Sequence, residues 1–314
     1  VDIRAPLRRL DRLQQQRPVF SIPVATAKKF SEDSSARMAA GLAFWAFFSI
    51  FPLLMALVTL LGYTVPASDR ARVMKSIASY LPLLDTSAVA HLSGNWLALV
   101  VGLLGAVWSG LAVVNFAQAA FNAVWEIPRS EQPGTREQIT RGLFALVVIG
   151  GGLIAATFLV ALVLGSEQAI DLGAAGRITG FALSIAIDVG VFVAAFRILT
   201  HSAITLRDVV PGAVFAGGVF WLLQSLSSVI ITRHLNSAQR TYGEFATVIT
   251  MLWWFYMQSM VTLYGAQANV VLRRHHYPRA LFGPEGPAEP KPAPPADSGL
   301  VPARGSDRVP SAHD

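Results

Sequence analysis

Six stretches of this chain stay apolar for close to the ~20 residues that a helix needs to cross ~30 Å of hydrocarbon at ~1.5 Å per residue. They cover residues 38–65, 96–125, 142–165, 178–200, 210–232 and 245–272. Inside a bilayer every backbone N–H and C=O must find a partner within the protein, so such stretches become helices. The expected fold is all-α, a polytopic membrane helical bundle with about six transmembrane helices. Its spans occupy residues 38–272, between a basic cytoplasmic N-terminal arm (1–37) and a cytoplasmic, Pro-rich and largely disordered tail (273–314). Composition agrees: 53% of the 314 residues are hydrophobic and only 14% are charged, where a soluble domain is nearer a quarter.

The first apolar run is too long for the ~7–15 residues of a signal-peptide core, and five more follow, so it reads as an uncleaved span despite the weak site at Val65-Pro66-Ala67. Pro52 lies inside it and should kink that helix, because proline removes a backbone donor. Pro211 opens the fifth span, where proline suits the first turn. Trp96, Trp125 and Tyr242 fall near span ends, where amphipathic rings favour the membrane interface. Between the first two spans, Val73, Ile77, Leu81 and Leu84 share one helical face, as in a short surface helix or an ordinary packed loop helix. From Phe282 onward, clustered Pro, Gly and charge offer no apolar face to offset ordering entropy.

Lysine and arginine fix the expected orientation. One set of alternate connections, including both termini, holds nineteen of them and the other set holds six. Without the last three of the tail the count is still sixteen against six. The positive-inside rule then places both termini in the cytoplasm. The net charge of +6 follows the same pattern, and so gives no reason to expect a nucleic-acid partner. Membrane lipids and a polar or amphipathic solute are the partners this layout suggests.

Polar side chains within the spans carry the functional question. Asn115, Gln118, Asn122 and Glu126 follow helical spacing down the second span, and Gln258, Thr262 and Asn269 do so on the sixth, with Gln267 adjacent. Against lipid they would lose their hydrogen bonds to water, so they should face the bundle interior. There they either line a wet path or bond helix to helix. Asp188 is the one carboxylate deep in a span. It is either a cation or proton site or a neutral, hydrogen-bonded packing residue. Gly212 and Ala216 form a small-xxx-small pair that permits close helix approach.

No catalytic cluster, cofactor motif or metal site is expected. The chain has no cysteine, and His275-His276 lacks the spacing that puts two imidazoles on one helical face. No phosphate-binding Gly loop, dinucleotide fingerprint or serine elbow occurs.

Several of these residues together resemble the YihY/BrkB family of bacterial inner-membrane proteins, formerly named ribonuclease BN. The first span reads Ala39-Ala40-Gly41-Leu42-Ala43-Phe44-Trp45 and then Ser49-Ile50-Phe51-Pro52-Leu53. Trp108-Ser109, Asn122 with Trp125, Arg207-Asp208 and Pro211-Gly212-Ala213 follow in order. Thr241-Tyr242-Gly243, Leu252-Trp253 and Gly265-Ala266-Gln267-Ala268-Asn269 complete the set, so the resemblance covers about residues 30–275. It implies six spans with cytoplasmic ends, a place in the bacterial inner membrane, a link to envelope integrity and serum resistance, and a transport or lipid-handling role. A non-transporting envelope scaffold is the alternative, and ribonuclease activity fits least. The last motif usually carries Glu where this chain has Gln267, which hydrogen bonds but cannot titrate.

Overall fold

The computed structural model describes residues 18–64, 96–152, 173–201 and 204–277. Eight helices account for most of them: α1 (Pro18–Glu32), α2 (Ser35–Thr64), α3 (Trp96–Val124), α4 (Thr135–Ala145), α5 (Gly173–Leu199), α6 (Leu206–Ser225), α7 (Ser227–Tyr242) and α8 (Ala246–Arg273). No strand occurs among the described residues. The expected surface helix at 73–84, the end of the third span and the tail beyond residue 277 lie outside them.

Four helices, α2, α3, α5 from Ile178 and α6, are long and apolar enough to cross a membrane. Their outward faces carry Phe44, Leu53, Leu60, Leu104, Trp108, Ile178 and Val214, all exposed. That much outward apolar surface belongs against lipid rather than water. At 28 residues α8 is also long enough to span, yet it falls short on apolar character. Packing explains the difference, since α8 lies against α1, α2, α3, α6 and α7. A helix covered by protein on several sides can carry Gln, Asn and Ser where a lipid-facing helix cannot.

Small residues set the closest approaches. A Cβ on Gly102 would lie 2.7 Å from the Ala56 backbone nitrogen, and one on Gly105 2.9 Å from the Pro52 ring, so α2 and α3 pack as an antiparallel pair. The α2 helix is continuous through Pro52. On the other side, a Cβ on Gly212 would lie 2.0 Å from the Gly265 carbonyl oxygen, with Ala216 beside the same turn. The small pair expected on α6 therefore meets α8 backbone to backbone. An aromatic core adjoins the second contact, where Phe121 and Phe196 meet edge to face at 5.4 Å and Phe192 bridges Phe196 and Phe220.

Two expectations need correction. The fifth span does not run to residue 232: α6 stops at Ser225, Leu226 breaks the helix, and α7 starts as a separate amphipathic helix. Residues 18–32 of the basic arm form α1, which packs along α8 with Ala25 buried and Phe30 stacked on Tyr264 at 3.9 Å. Trp125 is buried rather than set at an interface, and the Arg273 guanidinium lies 5.5 Å from its ring centroid.

Candidate functional site

The polar groups concentrate at one end of the bundle, where α1, α3, α5 and α8 end and α2 and α6 begin. Lys29 is 2% exposed, a burial that lysine tolerates only when paired. Its Nζ donates to Asp33 Oδ2 at 2.9 Å and to Glu126 Oε1 at 2.6 Å. Glu126 also accepts from Arg274, whose second terminal nitrogen donates to the Trp125 carbonyl at 2.8 Å. Burial opposes ionisation of Glu126, but the Lys29 ammonium and Arg274 guanidinium outweigh it and hold the carboxyl below its ordinary value of 4.5.

Helix-terminal geometry builds this cluster. Ser34, Glu126 and His275 follow α1, α3 and α8 with φ of 54°, 56° and 51°, the left-handed cap conformation that usually falls to glycine. The amide of Ile127 closes back on the Asn122 carbonyl at 2.9 Å, and that of His276 on the Val271 carbonyl at 3.1 Å. Such turns satisfy orphan carbonyls at a helix end. The turn after α3 also directs Glu126 toward Lys29 and Arg274.

The amides expected to face inward divide among several partners. Gln267 is fully buried, and its Nε2 donates to Asp33 Oδ2 at 2.7 Å and to Ser35 Oγ at 2.9 Å. It ties α8 to the α1–α2 turn. Asn269, also fully buried, accepts from the Gly212 amide at 2.6 Å. Asn122 accepts from the His201 amide at 2.9 Å. The corner between α5 and α6 is thus held at both ends, and Arg141 of α4 also bonds the His201 ring. Arg273 pairs with Asp208 at 3.4 Å, while Asp208 accepts from the Thr205 amide and hydroxyl at 2.8 and 2.7 Å, capping α6.

The remaining candidates are placed differently. Asn115 and Gln118 both face Gly142 of α4, Gln118 being 4% exposed. Thr262 bonds the Gln258 carbonyl on its own helix at 2.9 Å, and Gln258 donates at 3.4 Å to Gln224 of α6. Asp188 is half-buried one turn from Phe192, without a hydrogen-bonding or ionic partner among the described residues. Phe196 meets Phe121 on α3 and lies beside the Gly265 turn on α8.

Four of these amides each keep one buried polar atom without a protein partner: Asn115 Oδ1, Gln118 Nε2, Gln267 Oε1 and Asn269 Nδ2. No group of three His, Cys, Asp or Glu residues among the described residues could hold a metal ion. An open cleft of about 790 Å³ lies at the α5–α6 corner, lined by Arg197, Ile204, Thr205, Leu206 and Arg207. In the sequence Lys29 and Arg274 count only toward topology, and nothing singles out Asp33. The i,i+4 spacing of Lys29 and Asp33 was the one local hint of their pairing.

Comparison with known proteins places this arrangement among membrane proteins. The family profile described as "Virulence factor BrkB" matches residues 26–289. A UPF0761 membrane protein of Psychrobacter sp. (strain PRwf-1) is 25% identical over 257 residues, covering 77% of this chain and 46% of the relative. A UPF0761 membrane protein of Stenotrophomonas maltophilia (strain R551-3) is 24% identical over 82% of this chain and 62% of its own length. The ribonuclease-like protein YfkH of Bacillus subtilis (strain 168) is 25% identical over 75% of this chain and 89% of its own length. The chain thus spans about half the length of the Psychrobacter relative and under two thirds of the Stenotrophomonas one. No solved structure gives a significant match.

Proposed function

The chain belongs to the BrkB family of membrane proteins, and from that premise we propose that it is an inner-membrane transporter or lipid translocator for a polar or amphipathic solute, linked to envelope integrity. The four amides with one unpartnered buried atom carry the reading. An unsatisfied buried polar atom costs about 1–3 kcal/mol, a cost that side chains retained only for packing would avoid by pairing at both ends. The cost is offset when water or a solute takes the open position. The ionic cluster at the ends of α1, α3 and α8 then serves as the closed side of the path. The charge asymmetry supports placing that side, with both chain termini, in the cytoplasm.

The scaffold reading draws on a different observation, that Asn122, Gln267 and Asn269 each make an inter-element hydrogen bond through one amide atom. Reconstitution into liposomes with parallel lipid-scrambling and solute-flux assays separates the two. Translocation predicts that Asn115→Leu and Gln118→Leu insert normally and lose flux. Normal insertion of a wild-type protein that neither scrambles lipid nor moves solute would establish the scaffold instead. Nothing in the ionic cluster resembles a hydrolytic centre, so the same preparation is expected to leave RNA intact.

A further inference from the structure

We propose that the open cleft at the α5–α6 corner binds the phosphate-bearing headgroup of an anionic phospholipid through Arg197 and Arg207. Arg197 lies in the last turn of α5 and Arg207 in the first turn of α6, so both guanidiniums sit at one end of two apolar helices. That is the depth at which arginine reaches the headgroup layer. Both are exposed, and neither has an ionic or hydrogen-bonding partner among the described residues.

The surrounding charge favours an anion. Arg141, Arg197, Arg207 and Arg273 stand at this corner together with the Asp208 carboxylate. That carboxylate is already engaged by Thr205 and Arg273, and Arg141 by the His201 ring. Two guanidiniums opening on one cleft match the oxygens of a phosphate group, which arginine binds through its planar fork.

The apolar rim points to a lipid rather than free phosphate. Leu206 borders the cleft at 51% exposed, and Val210 and Val214 continue from it one and two turns along α6 at 41% and 53%. The spacing i, i+4, i+8 makes a single track, on which an acyl chain can lie while its headgroup meets the two arginines. Headgroup binding at this cleft is an equilibrium property. It stands whether or not the protein moves the lipid, and a failed flux assay would not touch it.

The test is native mass spectrometry of the full chain with phosphatidylglycerol, phosphatidylcholine and inorganic phosphate as probes. Wild-type protein is expected to prefer phosphatidylglycerol, and an Arg197→Gln/Arg207→Gln variant to lose about tenfold of that preference, as loss of charge-assisted bonds predicts. Arg233→Gln/Arg240→Gln, which removes two exposed charges from α7, should keep it. An undiminished preference in the first variant overturns the proposal, and so does an equal loss in the second, which would make the effect one of bulk charge. Displacement of the lipid by millimolar inorganic phosphate would assign the cleft to a free anion and overturn the lipid. Should the double variant not accumulate, Arg207→Gln alone decides: a partial loss supports the site and an unchanged preference removes it.

Discussion

Gln267 Nε2 donates to Asp33 Oδ2 at 2.7 Å, joining the sixth apolar stretch to the turn that precedes the first across 234 positions of sequence. The same carboxylate oxygen accepts from Lys29 Nζ at 2.9 Å, so one acid holds α1, α2 and α8 together. This places the turn before α2 beside the last turns of α8.

Gln267→Glu follows from that contact. A carboxylate in place of the carboxamide would face the Asp33 carboxylate instead of donating to it, and like charges at that distance raise the proton affinity of the pair. The variant is expected to lose about 1–3 kcal/mol at neutral pH. Because the folded-state affinity is raised, the deficit should shrink as pH falls. Thermal unfolding in detergent at pH 5 and pH 8 checks this, and equal deficits at both would show that the two acids do not interact.

Glu126 carries the opposite sign. Its folded-state pKa is depressed, so its stabilisation is present above the ordinary value of 4.5 and is lost as pH falls below it through the folded value. With the Glu126 side chain 47% exposed, solvent screening limits the contribution to roughly 1 kcal/mol. Glu126→Gln should unfold at a lower temperature than wild type at pH 7, and the gap should narrow as pH falls below 4.5 toward the folded value. A gap that persists there would assign the effect to hydrogen bonding or cap geometry.

Glycines 212 and 218 on the same helix should respond differently to alanine. The added methyl at 212 meets the Gly265 carbonyl and Asn269 Oδ1 at 2.0 and 2.5 Å, whereas at 218 nothing lies within 4 Å. Gly212→Ala is expected to cost about 1–3 kcal/mol or more by forcing α6 from α8. Gly218→Ala should stay within ~1 kcal/mol of wild type. Membrane-inserted yield and melting temperature, measured side by side, test the α6–α8 contact directly.

Topology can be read with reporters. Fusions in residues 126–141 and after Arg279 are expected to report the cytoplasm, and fusions in 66–95 the outer side. A periplasmic signal from the C-terminal fusion would require an odd number of spans or inverted insertion.

Long-range order in hydropathy was legible from the chain alone. Runs such as 38–65 and 96–125 must form helices whatever surrounds them, because lipid offers the backbone no partner. The glycine and alanine spacing on α6 likewise announced a close helix contact, since only small residues admit one. Period alone could assign Asn122, Gln267 and Asn269 to the interior, but their partners could not be inferred. Those are the His201 amide, the Asp33 carboxylate and the Gly212 amide, each supplied by another element at a distance set by packing. The same limit hid the role of Lys29. In sequence it is one more positive charge of a cytoplasmic arm, and only the docking of α1 against α8 removes it from water and makes Glu126 and Asp33 its necessary partners. Burial and pairing are properties of the assembled bundle, because both depend on which helix ends meet, and no local pattern encodes that.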